Sequence, residues 1–70
     1  MNIYPNPVST NFVIDTKWSY KKIEILDLSG RVLMTSEFQQ NPDVSWLNSG
    51  IYFVRISDEK NNLIRKFYKL

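Results

Sequence analysis

Seventy residues with no cysteine, no histidine, 43% hydrophobic side chains and a net charge of +2 describe one small domain with a thin core. Disulfides, thiolate metal sites and histidine-based acid–base chemistry are excluded at once. The weak net charge makes no case for nucleic acid, and no apolar run approaches the roughly 20 residues of a membrane span.

Ile3-Tyr4 can form a short first strand. Pro5-Asn6-Pro7 ends it, because proline cannot donate to a sheet ladder and fixes its own φ. Asn11 to Asp15 alternates, with Phe12 and Ile14 on one face and Val13 on the other. Lys22 to Asp27 sets Ile23 and Ile25 on one face, and Arg31 to Phe38 supplies the next strand. Asp27-Leu28-Ser29-Gly30 between them is turn chemistry: the aspartate bonds backbone amides, and the glycine tolerates positive φ. Gln39 to Asp43 is polar, contains Pro42 and reads as a loop. Val44-Ser45-Trp46 is a candidate short strand, and Leu47-Asn48-Ser49-Gly50 repeats the turn chemistry. Ile51 to Ser57 points Tyr52, Val54 and Ile56 one way and Phe53 and Arg55 the other. Asp58 to Asn62 is a turn. Leu63 to Lys69 is the last strand, with Ile64 and Tyr68 on one face and Leu63 and Phe67 on the other. About seven short strands at this spacing predict an all-β antiparallel sandwich or small barrel. The inner set should be Phe12, Ile14, Ile23, Ile25, Tyr52, Val54 and Ile56. Gly30 and Gly50 should both carry positive φ.

Chemistry is hard to find. No histidine can activate the serines, two glycines cannot build a phosphate loop, and the seven acids show no catalytic spacing. The sequence therefore assigns no catalytic residue, cofactor or metal, and the chain reads as a non-enzyme. Asp58-Glu59 with Asn61-Asn62 is a weak calcium candidate, and an ordinary hairpin turn explains it better. Trp18 and Trp46 could stack on sugar rings, with Tyr20 extending a platform beside Trp18. In so small a domain, packing into the core is the preferred reading. The stretch 60–70 holds Lys60, Arg65, Lys66 and Lys69 and no acid. Lysines on an edge strand block sheet-to-sheet pairing, which is the plainer account; a binding patch is the other.

Taken in order, the motifs resemble a known family. Tyr4-Pro5-Asn6-Pro7 opens the chain. Asp27-Leu28-Ser29-Gly30-Arg31 follows the strand Ile23-Glu24-Ile25-Leu26. Leu47, Gly50, Tyr52, Val54 and Ile56 form an L-x-x-G-x-Y-x-V-x-I pattern, and a basic strand ends at Leu70. This series resembles the C-terminal sorting domain of proteins exported by the type IX secretion system of Bacteroidota.

The resemblance implies an immunoglobulin-like β-sandwich over residues 1–70, cut from a larger secreted parent. It implies an export signal whose cargo is attached at the N-terminus and whose leader belongs to that parent. The route runs through the periplasm to an outer-membrane translocon. A cell-surface sortase and attachment complex commonly cleaves and anchors the product, leaving it secreted or on the cell surface. Arg65, Lys66, Lys69 and Leu70 are the expected translocon contacts, and Lys69-Leu70 should be removable at little cost in stability, since chain ends fray. An edge strand offers a route to a dimer. A small carbohydrate-binding module using Trp18 and Trp46, and a structural immunoglobulin-like repeat, are the competing readings.

Overall fold

The computed structural model describes all 70 residues. Six strands form: β1 (Asn2–Tyr4), β2 (Val13–Asp15), β3 (Lys22–Leu26), β4 (Val32–Glu37), β5 (Gly50–Ser57) and β6 (Asn62–Lys69). They build two antiparallel sheets, a β1-β2 pair and a four-stranded sheet in the order β4-β3-β5-β6. The fold is the expected all-β sandwich, with six strands rather than about seven. The missing one is Val44-Ser45-Trp46. The Asp43 carboxylate accepts the Ser45 N–H at 2.8 Å, and the Leu47 N–H reaches the Val44 carbonyl at 3.0 Å. Those bonds turn the chain before a strand can extend.

The loop after β4 crosses to the smaller sheet. There the Ile14 N–H donates to the Gln40 carbonyl and the Val44 N–H to the Thr10 carbonyl. The core lies between the layers. Val8, Phe12, Ile14, Val44 and Leu47 come from one side, and Ile23, Ile25, Val54, Ile56 and Phe67 from the other. Tyr52 is half-buried and packs against this cluster, so the inner set is the one that period-two alternation predicts. On β6, Phe67 faces inward and Ile64 and Tyr68 face out.

The outer face of the large sheet carries one buried charge. Glu24 is 7% exposed on β3 and sits opposite Arg55 of β5, whose Nε and Nη2 lie 2.9 and 2.8 Å from Glu24 Oε1. The Arg55 hydrogen bond holds the Glu24 carboxyl below its ordinary range against the opposing effect of burial.

Three aspartates direct turns. Asp27 Oδ1 accepts the Ser29 hydroxyl at 2.6 Å and the N–H groups of Ser29 and Arg31 at 2.9 and 3.0 Å. Asp43 holds Ser45, and Asp58 Oδ1 accepts the N–H groups of Lys60 and Asn61 at 2.8 and 2.7 Å. The last pattern is the hairpin turn preferred for 58–62. All three carboxyls are held below the usual aspartate range, Asp27 first by the Ser29 hydroxyl, Asp43 by the Ser45 N–H and Asp58 by the Lys60 N–H. Depressed carboxyls stabilise the fold above their unfolded pKa, and that stability is lost as pH falls through the folded values. The melting temperature should therefore hold through neutral pH and drop below about pH 4. Replacing the three with asparagine, which keeps an acceptor oxygen but does not titrate, should flatten much of that drop in a pH series of thermal melts. An unchanged acid slope would contradict the assignment.

Candidate functional site

The sequence motifs lie far apart along the chain, and the fold gathers them at one end of the sandwich. Each motif has its own local device, and the first is a latch. Past β1 the chain turns through Pro5 and Pro7, and Asn6 meets the edge of β6. Asn6 Oδ1 accepts the Tyr68 N–H at 2.8 Å, and its side-chain amide reaches the Lys66 carbonyl at 3.5 Å. One residue pair on, the Val8 N–H donates to the Tyr68 carbonyl at 2.8 Å and the Val8 carbonyl accepts the Leu70 N–H at 2.9 Å. The Asn6 side chain thus imitates a strand backbone, and Val8 completes the pairing while burying its own side chain. Prolines on either side suit this segment, since neither could donate to β6. The sequence reads Pro5-Asn6-Pro7 as a corner; the pairing partner was invisible because it lies sixty residues away.

The latch bears on one expectation: the Leu70 N–H is bonded to the Val8 carbonyl, so removing Lys69-Leu70, expected to cost little because chain ends fray, takes away one bond of the latch. It also covers the C-terminal half of the β6 edge, the stretch that a partner strand would need. Asn6→Ala should cost about 1 kcal/mol and speed amide exchange at Tyr68 while leaving Val54 unaffected. Unaltered exchange at Tyr68 would show that the side chain holds nothing.

The second and third motifs meet each other. Gly30, at φ 90, closes the Asp27 loop, and the Arg31 Nε lies 3.3 Å from Asp27 Oδ2. Gly50 opens β5 at φ 156, and the Tyr52 ring lies over it. The Tyr52 hydroxyl donates to the Asn48 carbonyl at 2.8 Å and so fixes the turn that Leu47 anchors in the core. Asp27, Arg31, Leu47 and Tyr52 line a common cleft of about 290 Å³ with Trp46. Both glycines have the positive φ expected, with unequal consequences. Gly30→Val should cost about 1–2 kcal/mol through left-handed strain. Gly50→Val should cost more: at φ 156 the backbone lies outside both the extended region and the left-handed well that Gly30 borders, so the strain is conformational, since an added Cβ meets only the Tyr52 ring, at 3.8 Å. Thermal denaturation of both variants checks the order, and a larger loss at Gly30 would reverse it.

The terminal strand joins the same end, because Gly50 pairs with Lys69 and Tyr52 with Phe67. Its basic residues do not share a face. Lys66 lies on the outer face, its Nζ 5.7 Å from the Tyr68 ring centre, while Arg65 and Lys69 alternate to the inner side at the sheet edge. None of the three reaches an acidic side chain, whereas Lys21, Lys22, Arg31 and Arg55 each do. Arg65 bonds only the Ile64 carbonyl and Lys69 the Leu70 main-chain oxygen.

The tryptophans overturn the packing expectation. Trp18 is 70% exposed and Trp46 50% exposed. Trp18 borders Asn61 and Leu63 at the opposite end of the sandwich from Trp46, and Tyr20 is buried in the core. No joint platform forms from the three. Aliphatic side chains and phenylalanines fill the core instead.

A family model described as secretion system C-terminal sorting domain matches residues 2–69. The chain belongs to this family. Its members are sorting signals rather than enzymes, so the chain is a type IX secretion sorting signal, which implies export to the surface or medium, an N-terminal cargo and association with the secretion machinery. No curated protein matches the chain.

Proposed function

We propose that this sorting domain is read as a folded surface, and that the surface is the motif-bearing end together with the outward side of β6. The supporting observation is convergence. Tyr4 to Pro7, the Asp27–Arg31 loop, Leu47 to Tyr52 and the end of β6 meet at one end of the molecule, while Val54 and Ile56 serve the core. Around the edge of β6, Lys66 on the outer face and Arg65 and Lys69 on the inner add positive charge that no acidic side chain neutralises, and Tyr4, Tyr68 and Leu70 are exposed. An acidic receptor surface with apolar pockets fits this patch. Residues 1–70 act as one unit, since the latch ties the first motif to the last strand. Passage through the periplasm, removal of the domain and anchoring of the cargo by a surface sortase complex belong to the same reading.

Photo-crosslinking tests it. A photoreactive residue at Tyr68 should capture an outer-membrane translocon component in secreting cells, and one at Trp18, on the far end, should not. Equal capture at both positions, or none at Tyr68, contradicts the proposal.

Pairing of two copies, where it occurs, would use β4. The latch and the flanking lysines guard β6, whereas β4 pairs only with β3 and holds one charge, Glu37. Sedimentation should then find dimers that Thr35→Pro disperses; a dimer indifferent to that change would rule β4 out.

A further inference from the structure

We propose that the Trp46 cleft binds one pyranose ring of a glycan. The indole is held in place. Its Nε1 donates to the Asp43 carbonyl at 2.8 Å, and Asp43 is itself fixed by the Ser45 N–H. With that donor satisfied, the half-exposed ring offers the cleft an apolar π surface of fixed orientation.

The polar groups around it are few and free. Arg31 approaches Asp27 through Nε, its terminal nitrogens make no hydrogen bond, and its side chain is 76% exposed. Asn48 uses its backbone carbonyl for Tyr52 and leaves its side-chain amide unbonded. The Tyr52 hydroxyl, having donated its proton, keeps acceptor capacity. Leu33 closes the apolar side. Asp27 offsets the charge of Arg31, so the cleft does not select a strong anion such as a phosphate. An apolar plate, two sets of donors and one acceptor around a nearly neutral hollow match a pyranose. Its C–H face stacks on the indole, and its ring hydroxyls accept from Arg31 and Asn48. At about 290 Å³ the hollow suits one ring rather than a longer run. Trp18 differs in two respects, although Asn2, Asp15, Asn61 and Asn62 lie beside it: it is more exposed, and only its backbone N–H is bonded, so its indole is not held as that of Trp46 is.

Trp18→Phe leaves Trp46 as the sole tryptophan, so its fluorescence reports the site directly. That variant is titrated with cellohexaose, mannohexaose and xylohexaose, with glycerol as the acyclic control. At least one oligosaccharide should give a saturable change with a dissociation constant around 1 mM, and glycerol none. Asn48→Ala, which keeps the backbone bond to Tyr52, should weaken binding several-fold, and Arg31→Ala about tenfold, with circular dichroism confirming the fold. The proposal is overturned by silence toward all three sugars, or by binding that both variants leave unchanged. Capture of a protein by a photoreactive residue at position 46, without any sugar response, would also overturn it. The measurement uses the isolated domain and no secretion step, so it stands or falls separately from the export reading.

Discussion

Phe67→Ala is expected to leave the domain largely unfolded at growth temperature. Phe67 is fully buried, with its ring centre 5.0 Å from that of Phe12 and 5.8 Å from that of Tyr52. It joins the last strand to the core, and through that strand the latch, so the cavity left by alanine cannot close without moving β6. Truncating a buried phenylalanine costs about 3–5 kcal/mol. Whole domains have about 5–15 kcal/mol, and one this small sits at the low end. A urea titration should place the midpoint of Phe67→Ala near zero denaturant, and secretion of an attached cargo should fall with it. A loss below about 1 kcal/mol would mean that β6 is held mainly by its backbone ladder.

Reversing Arg65, Lys66 and Lys69 to glutamate is expected to separate export from folding. None of the three pairs with an acidic side chain, so the fold loses the Lys66–Tyr68 contact, worth about 0.5–1 kcal/mol at an exposed site, and the exposed bonds of Arg65 and Lys69 to the Ile64 and Leu70 oxygens, which water replaces. The melting temperature should fall by about 2–8 °C, leaving the domain folded. Export should fall by about tenfold or more, because an acidic receptor would then face three like charges. The defect should deepen at low ionic strength in a reconstituted binding assay, where exposed charges are least screened. Normal export by the folded, charge-reversed domain would return these residues to the plainer role of guarding an edge.

The strands that alternate cleanly were legible in the sequence, and so were the turns led by Asp27 and Asp58. Those signals are local: a period of two, an aspartate before free amides, a glycine where φ turns positive. The Val44-Ser45-Trp46 segment misled because its β-branched and aromatic content favours a strand, while Asp43 spends its carboxylate bending it. The tryptophans misled through size. A small core was expected to need them, yet Phe12 and Phe67 stacked against Ile14, Ile23, Ile25 and Ile56 fill it without them. The Asn6 latch, the Glu24–Arg55 pair and the meeting of Arg31 with Tyr52 depend on register between distant strands. Nothing within a few residues of any of them records that register. The motif residues themselves were found in the sequence; their convergence on one end was not.

Residues 1–70 are expected to suffice to direct export. The direct test attaches a periplasm-targeted reporter to the N-terminus of residues 1–70 and follows it in type IX-competent cells and in cells lacking the translocon. Reporter should appear at the surface or in the medium of the competent cells and be retained in the periplasm of the deficient ones. Retention in both, with the fused domain folded, would contradict it.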